Sequence, residues 1–494
     1  MDRRRMLQAA GCTSALLTLG GLPVAAPGAE GAEGASAAAR RAADERVRAD
    51  VVVVGTGAAG LSAALAAREA GAGHVLVIEK LPLAGGHTLI SSGSVSAART
   101  PEEVAGLMNE MLDAGGGRAD LALVRVVCEG SWAAKEKLAR LGVAWSEVPF
   151  RAVGSPSARS WNTGTTQSGY DYVQALMRAV RRAGVEVRFS TAASGLILQN
   201  VDGTRRVAGL TADLADGRTL TVESPSVVLA TGGFTGNAAM LRRWRPDIPP
   251  RMQTTGNPMG EYLDGATGDG ILIAAEAGAA LCDMDAVLLV PFAGGRLADY
   301  VGGEVWLNVQ GRRFISEGAG FAELRDRVLQ QPDARMWAVS DALAPKGATL
   351  PLKLMNGAVK EAADLAQLAR GIGCSLAVLK ETLERYNRSV ANGWDEDFGI
   401  PMRGLPVATP PFFYGLETFS IHYTAGGIAI TPCAEVKDAA GRVIPGLYAA
   451  GETTGGVHGA MRVGGLGLTD AFVMGEVAGR EAARTAASRA TPKG

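Results

Sequence analysis

Cysteine and histidine are both scarce in this 494-residue chain, which has five of the first and four of the second. Cys12, Cys128, Cys282, Cys374 and Cys433 stand far apart. No Cys-x-x-Cys, Cys-x-x-Cys-His or zinc-type spacing can be drawn from them, which excludes an attached haem, a metal site and a disulfide framework. The chain also lacks an excess of either charge, with a net value of −1. That balance excludes the basic footprint of a nucleic-acid binder and a strongly acidic surface alike.

The N-terminus has a basic start at Arg3, Arg4 and Arg5, an apolar run to Leu22, and small residues at Val24, Ala25 and Ala26. Residues 1–26 read as a secretory signal, too short for a membrane span, and no span is expected in the mature chain. The adjacent arginines followed by Met6 and Leu7 resemble a twin-arginine export signal, which predicts a periplasmic or otherwise exported protein. Residues 27–47 have linker composition. Roughly 450 residues remain, enough for one large two-domain enzyme. A route that exports folded proteins suits one loaded with its cofactor in the cytoplasm.

Glycine, by contrast, is abundant, with 66 residues. The stretch AAGETTGGVHGAMRVGGLGLTDAFVMG, residues 449–475, sets Glu452, His458 and Arg462 in a glycine run. Backbone without side chains permits close approach, so something large is expected to lie against it. The ligand is named at the other end of the chain. In ADVVVVGTGAAGLSAALAAREAGAGHVLVIEK a four-valine strand runs into Gly55-x-Gly57-x-x-Gly60, then an Ala-rich helix, then a second strand ending at Glu79. Glycines allow the tight turn and close contact with a pyrophosphate at the helix N-terminus, where Ala58 and Ala59 lie. An acid about 20 residues on accepts from a ribose diol. The acid disfavours NADP. A second glycine-rich loop with Lys80, Gly86, His87, Thr88 and Gly93 suits an extended FAD, as do the strand running into Thr231 and Gly232 and the helix opened by Asp269. The FAD is expected to be non-covalent, although His87 stands where a flavin-linking histidine would.

These stretches, with WLNVQGRRFISE (306–317), LKETLERYNRSVANGWDEDFG (379–399) and IHYTAGGIAITPCAEVKDAAGRVIPGLYAAGETTGGVHGAMRVGGLGL (421–468), resemble the fumarate reductase/succinate dehydrogenase flavoprotein superfamily, in its soluble periplasmic fumarate and urocanate reductase branch. The resemblance implies an α/β fold. A Rossmann-like FAD-binding domain would come from two segments, 48–285 and 415–494, with an α+β substrate cap inserted at 286–414. It further implies hydride transfer from flavin N5 to an alkene conjugated to a carboxylate or carbonyl. Arg462 would clamp that group, His422 would bind substrate, and Tyr423 would lie beside the isoalloxazine. Glu452 would hold the ribityl chain, and Gly467 and Leu468 would complete the cradle.

The departures from the family pattern shape the expected substrate. Val290 replaces the histidine that would hold a second carboxylate. Leu297 and Tyr300 fall where a proton-relay Glu and Arg would be, and Phe321 falls where the acid arginine belongs. Arg325, one helical turn further on, is a candidate substitute, as are Arg296, Tyr300 and Tyr423. A less cationic, more apolar pocket predicts an ene-reductase for a monocarboxylate or enone rather than fumarate. The alternatives are a 3-ketosteroid-type dehydrogenase running the reverse reaction, and a non-catalytic flavin protein. No haem motif or flavodoxin-like module is present, so a separate electron-transfer protein, an exported cytochrome c, is expected.

Overall fold

A computed structural model describes residues 44–163, 168–249, 252–256, 264–294, 296–298, 300–347, 350–402 and 404–490. The expected signal, and the linker up to residue 43, lie outside the described residues. The central sheet is built from short apolar runs, too brief for helices. Its strand order is Glu435–Lys437, Val443–Ala449, Ser226–Leu229, Val51–Val54, Val75–Ile78, Glu186–Arg188. All neighbours are parallel except the first pair. Val51 pairs with Val75 on one side and Ser226 on the other, and Val227 pairs with Leu447. Both faces of such a sheet are covered, which is why the valines run without polar alternation. Strands from both ends of the chain thus share one sheet, as the two-segment FAD domain requires.

Helix Ala58–Glu69 follows the first strand, and Ala58 to Ala67 are all buried. Its alanines are explained by its partner, the long helix Leu466–Ala490. A Cβ at Gly475 would lie 2.4 Å from the Ala59 carbonyl oxygen, and one at Gly479 would lie 2.0 Å from that of Ala63. The two backbones touch, so only small residues fit at the crossing. Beside the central sheet lies a four-stranded sheet whose strands Thr191–Val201 and Thr204–Leu214 form a hairpin. Its two-residue turn, Asp202-Gly203, has positive φ at both positions (52° and 74°), the geometry of a hairpin turn that Asp-Gly favours.

A second, antiparallel sheet occupies the region expected for the cap. Its order is Val287–Gly294, Phe412–Thr424, Met336–Ser340, Val305–Leu307, with Val359–Ala362 also paired to Phe412–Thr424. Helices Phe321–Leu329, Leu350–Met355, Leu365–Ile372 and Leu376–Asn392 complete an α+β unit. Its interior holds Arg313, whose side chain is 1% exposed, paired with Glu317 at 2.7 Å, Asp395 at 2.8 Å and Asp397 at 2.9 Å. A guanidinium so deeply buried is tolerated because carboxylates surround it. Strand Phe412–Thr424 stays paired with Val287–Gly294 up to Thr424 and presents His422 and Tyr423 near its end. Among the described residues no helix is long and apolar enough to cross a membrane.

Candidate active site

The first strand ends in a turn that only glycine can make. Gly55 has φ +109°, and a Cβ there would lie 2.3 Å from the Ala230 carbonyl oxygen; one at Gly60 would lie 2.0 Å from that of Gly55. Gly60 therefore seats the helix on the strand and lies beneath the cavity rather than along its wall. Gly57 caps the helix with extended backbone and no side-chain hydrogen bond. The Ala58 N–H donates to Thr88 Oγ1 at 3.0 Å. Glu79, at the end of the second strand, accepts from Thr56 N–H (3.0 Å), Thr56 Oγ1–H (2.7 Å) and Leu81 N–H (3.0 Å). Those bonds fix its carboxylate at the cavity wall.

One cavity of about 530 Å³ joins the residues that sequence singled out. Its walls include Gly55, Gly57, Ala58, Ala59, Glu79, Lys80, Gly86, His87, Thr88, Gly93, Thr231, Gly232, Asp269 and Glu452 on the cradle side. His422, Tyr423, Arg462, Gly467 and Leu468 also line it. Gly86 and Gly232 have positive φ, and a Cβ at either would meet no protein atom within 4 Å. They keep open the space a cofactor would fill. With the helix N-terminus and the fixed Glu79 carboxylate, these walls fit a dinucleotide. Lys80 pairs with Asp269 at 2.8 Å across the cradle.

His87 is held between two carboxylates. Its Nε2 lies 2.7 Å from Asp264 Oδ1, and Nδ1 lies 3.8 Å from Glu452 Oε2. Burial opposes a charge on the ring, yet the bonds and charges of Asp264 and Glu452 outweigh it and push the imidazole up to about 10. Asp264 is itself held by the hydroxyls of Thr235 and Thr254, both at 2.9 Å.

Also on the cavity wall, Thr255 Oγ1 and His422 Nδ1 are 2.9 Å apart. Burial, then the charges of Arg462 and Arg296, hold His422 well below the ordinary histidine value, so the ring is neutral. Arg462 lies over the Tyr423 ring at 4.8 Å and donates from Nη1 to the Val463 carbonyl at 3.1 Å, while its Nε has no hydrogen-bond partner among the described residues. Burial lowers its pKa, but a guanidinium remains charged. Burial likewise holds the Tyr423 phenol well above its ordinary value, neutral and protonated. The glycine run makes this packing possible. A Cβ at Gly467 would meet Arg462 Cδ at 3.2 Å and Tyr423 Cε2 at 3.3 Å, and one at Gly464 would strike the Val153 carbonyl oxygen at 2.3 Å. His458, also in the run, is buried behind Tyr423 with its ring edge-on at 5.7 Å, and does not line the cavity.

Two of the candidate proton donors fall elsewhere. Tyr300 Oη donates to the Pro345 carbonyl at 3.2 Å and is not part of the cavity wall. Arg325 is half-exposed on helix Phe321–Leu329 and pairs with its neighbour Asp326 at 2.8 Å, because Phe321, Leu324 and Val328 take the inward face. Arg296 and Tyr423 do line the cavity. Val290 is fully buried in the cap's apolar core and is not part of the wall. Thr255, Lys353 and Asn356 line the cavity although no motif marked them. Lys353 donates to the Arg296 carbonyl, and Arg296 Nε to the Ala298 carbonyl at 2.8 Å. The cap side is thus more cationic than sequence implied.

Comparison with known proteins agrees with this geometry. The FAD binding domain family matches residues 50–468. The chain is 32% identical over 456 residues to a probable fumarate reductase, Ifc3, of Shewanella frigidimarina, covering 88% of this chain and 75% of that one. It is 30% identical over 463 residues to a urocanate reductase of Eggerthella lenta, covering 88% and 75%. The open conformation of a flavocytochrome c3 fumarate reductase superposes with a TM-score of 0.66 at 31% identity, covering 89% of this chain and 79% of that one. With its two-segment parallel sheet, glycine cradle and inserted cap, the chain belongs to the fumarate reductase/succinate dehydrogenase flavoprotein family, in the fumarate and urocanate reductase branch, and is an FAD-dependent oxidoreductase.

Proposed function

We propose that this protein reduces a C=C bond conjugated to a carboxylate or carbonyl, and that it takes a monocarboxylate or enone in preference to fumarate. The observation that carries the reading is the burial of Arg462 on the wall of the cofactor cavity that neutral His422 also lines. When bound in this cradle, FAD would supply the hydride for the β-carbon; a proton added at the α-carbon then turns the C=C bond into CH–CH. Arg462 holds the carboxylate or carbonyl by charge-assisted hydrogen bonds and stabilises the negative charge that its oxygen gains in the transition state. In the tautomer this reading requires, the Thr255 hydroxyl, 2.9 Å from Nδ1, donates to it, and His422 carries its proton on Nε2 to donate a second hydrogen bond to the same group. Of the four candidates for the α-carbon proton, Arg296 and Tyr423 border the cavity.

The preference against fumarate rests on the apolar wall formed by Val153 and Phe321, the latter next to His422; Val290 lies in the cap's core, off that wall, and carries no part of the preference. The reverse, desaturating reaction would need a tyrosinate base. Tyr300 lies outside the cavity wall, and burial holds Tyr423 protonated, which favours reduction. Electrons would reach the flavin from a separate protein, an exported cytochrome c, with this chain itself exported. Steady-state assays with reduced viologen against acrylates, enones and fumarate test the proposal. Turnover is expected on at least one acrylate or enone, with fumarate slower. Dehydrogenation of a saturated ketosteroid with an artificial acceptor, and no viologen-linked alkene reduction, would overturn it.

A further inference from the structure

Phe321 begins the cap helix Phe321–Leu329, and its side chain forms part of the cavity wall. Its ring centre lies 6.4 Å from that of His422, tilted by 52°. The ring rests on backbone. A Cβ at Gly154 would stand 2.3–2.5 Å from three of its carbons, so no residue with a side chain is compatible with the ring where it lies. Gly154 has φ +77°, a second reason for glycine there. Val153 and Ala152 of the same segment also line the cavity. This backbone is also close to the glycine run, since a Cβ at Gly464 would lie 3.1 Å from Gly154 C. The ring thus has the Gly154 backbone against it and, as a neighbour, the residue proposed to bind the substrate's carboxylate or carbonyl.

We infer that Phe321, seated on Gly154, is a specificity-determining wall that receives a flat apolar group carried on the β-carbon, so that β-aryl or similarly conjugated acrylates are the substrate class. The inference rests on the reductase reading above and adds to it. A planar ring conjugated to the alkene lies in the plane of the carboxylate that Arg462 and His422 hold, and so is carried to a fixed place. An aromatic wall at that place contributes offset or edge contact beyond simple burial. Acrylate has no group to fill it, and fumarate would set a second carboxylate against an apolar ring.

The test compares cinnamate with acrylate and fumarate on the flavin-loaded full chain, using wild type, Phe321→Ala, Phe321→Leu and Gly154→Ala. Flavin content and Tm of each variant report folding, and binding of 3-phenylpropionate, followed by the flavin absorbance change, gives a readout independent of turnover. Wild type is expected to prefer cinnamate. The cinnamate-to-acrylate ratio of kcat/KM should fall roughly tenfold or more in Phe321→Ala and Gly154→Ala, with weaker 3-phenylpropionate binding. Phe321→Leu keeps an apolar side chain but loses the flat face, and should lower the ratio less than Phe321→Ala. A wild type that reduces acrylate or fumarate but not cinnamate would overturn the inference and leave the reductase reading standing. An unchanged ratio in flavin-loaded Phe321→Ala would do the same. If no alkene in the panel is reduced, both fall together.

Discussion

Arg462 sits on the ring of Tyr423 with a glycine at 467 because any Cβ there would crowd both side chains. In sequence the glycine run was read as room for a large ligand; that Gly467 and Gly464 are also closed by Arg462, Tyr423 and Val153 shows only in the fold. Arg325 and Tyr300 were not legible. Position along a chain does not say which way a helix or loop turns a side chain, and their partners Asp326 and Pro345 lie outside the cavity. Lys353 and Thr255 went unmarked because only tertiary packing brings them to the wall. His87 supports a prediction at this scale. Its ring, pushed up to about 10 by Asp264 and Glu452, carries protons on both nitrogens at neutral pH and has no lone pair to attack a flavin methyl carbon. FAD is therefore expected to be released by acid precipitation as a yellow supernatant with an FAD spectrum. Flavin left on the pellet would show a covalent bond.

Among the elements, the crossing of Ala58–Glu69 with Leu466–Ala490 carries the strictest demand. Glycine inside an exposed helix costs about 1 kcal/mol relative to alanine, so Gly479→Ala would ordinarily stabilise. Here the added Cβ would come within 2.0 Å of the Ala63 carbonyl oxygen, which is backbone and cannot rotate away. Forcing the helices apart should cost about 1–3 kcal/mol, outweighing the propensity gain and lowering Tm. A raised Tm would mean that the crossing tolerates a methyl group. The strand and helix at 51–69 were legible because valine run, glycine turn and alanine helix are local signals. The reason for so many alanines was not, since the partner helix begins some 400 residues later and only the fold shows the contact.

At the scale of the whole molecule, two distant segments build one parallel sheet and a cap sheet sends strand Phe412–Thr424 back to the cofactor cavity. The outline of this arrangement was legible from the resemblance, because glycine-rich loops recur at both ends of the chain. Arg296 stood among the sequence candidates, but Lys353, which donates to the Arg296 carbonyl, was not legible, because it is isolated in sequence. Export belongs to this scale too. Replacing Arg3, Arg4 and Arg5 with lysines is expected to leave a folded, flavin-loaded precursor in the cytoplasm, as fractionation and flavin absorbance would report. Normal processing and export of that variant would rule out a twin-arginine signal.

The central claim is that the fold buries Arg462 on the wall of the FAD cavity to hold and polarise an unsaturated acid or enone. Arg462→Met, assayed on the best substrate with reduced viologen, tests it most directly. Loss of one charge-assisted contact in a water-poor site should lower kcat/KM by about 10²–10³-fold while FAD stays bound. Arg462→Lys should not restore activity, because an ammonium lacks the planar fork. A flavin-loaded Arg462→Met with near wild-type kcat/KM would make this arginine structural and contradict the account.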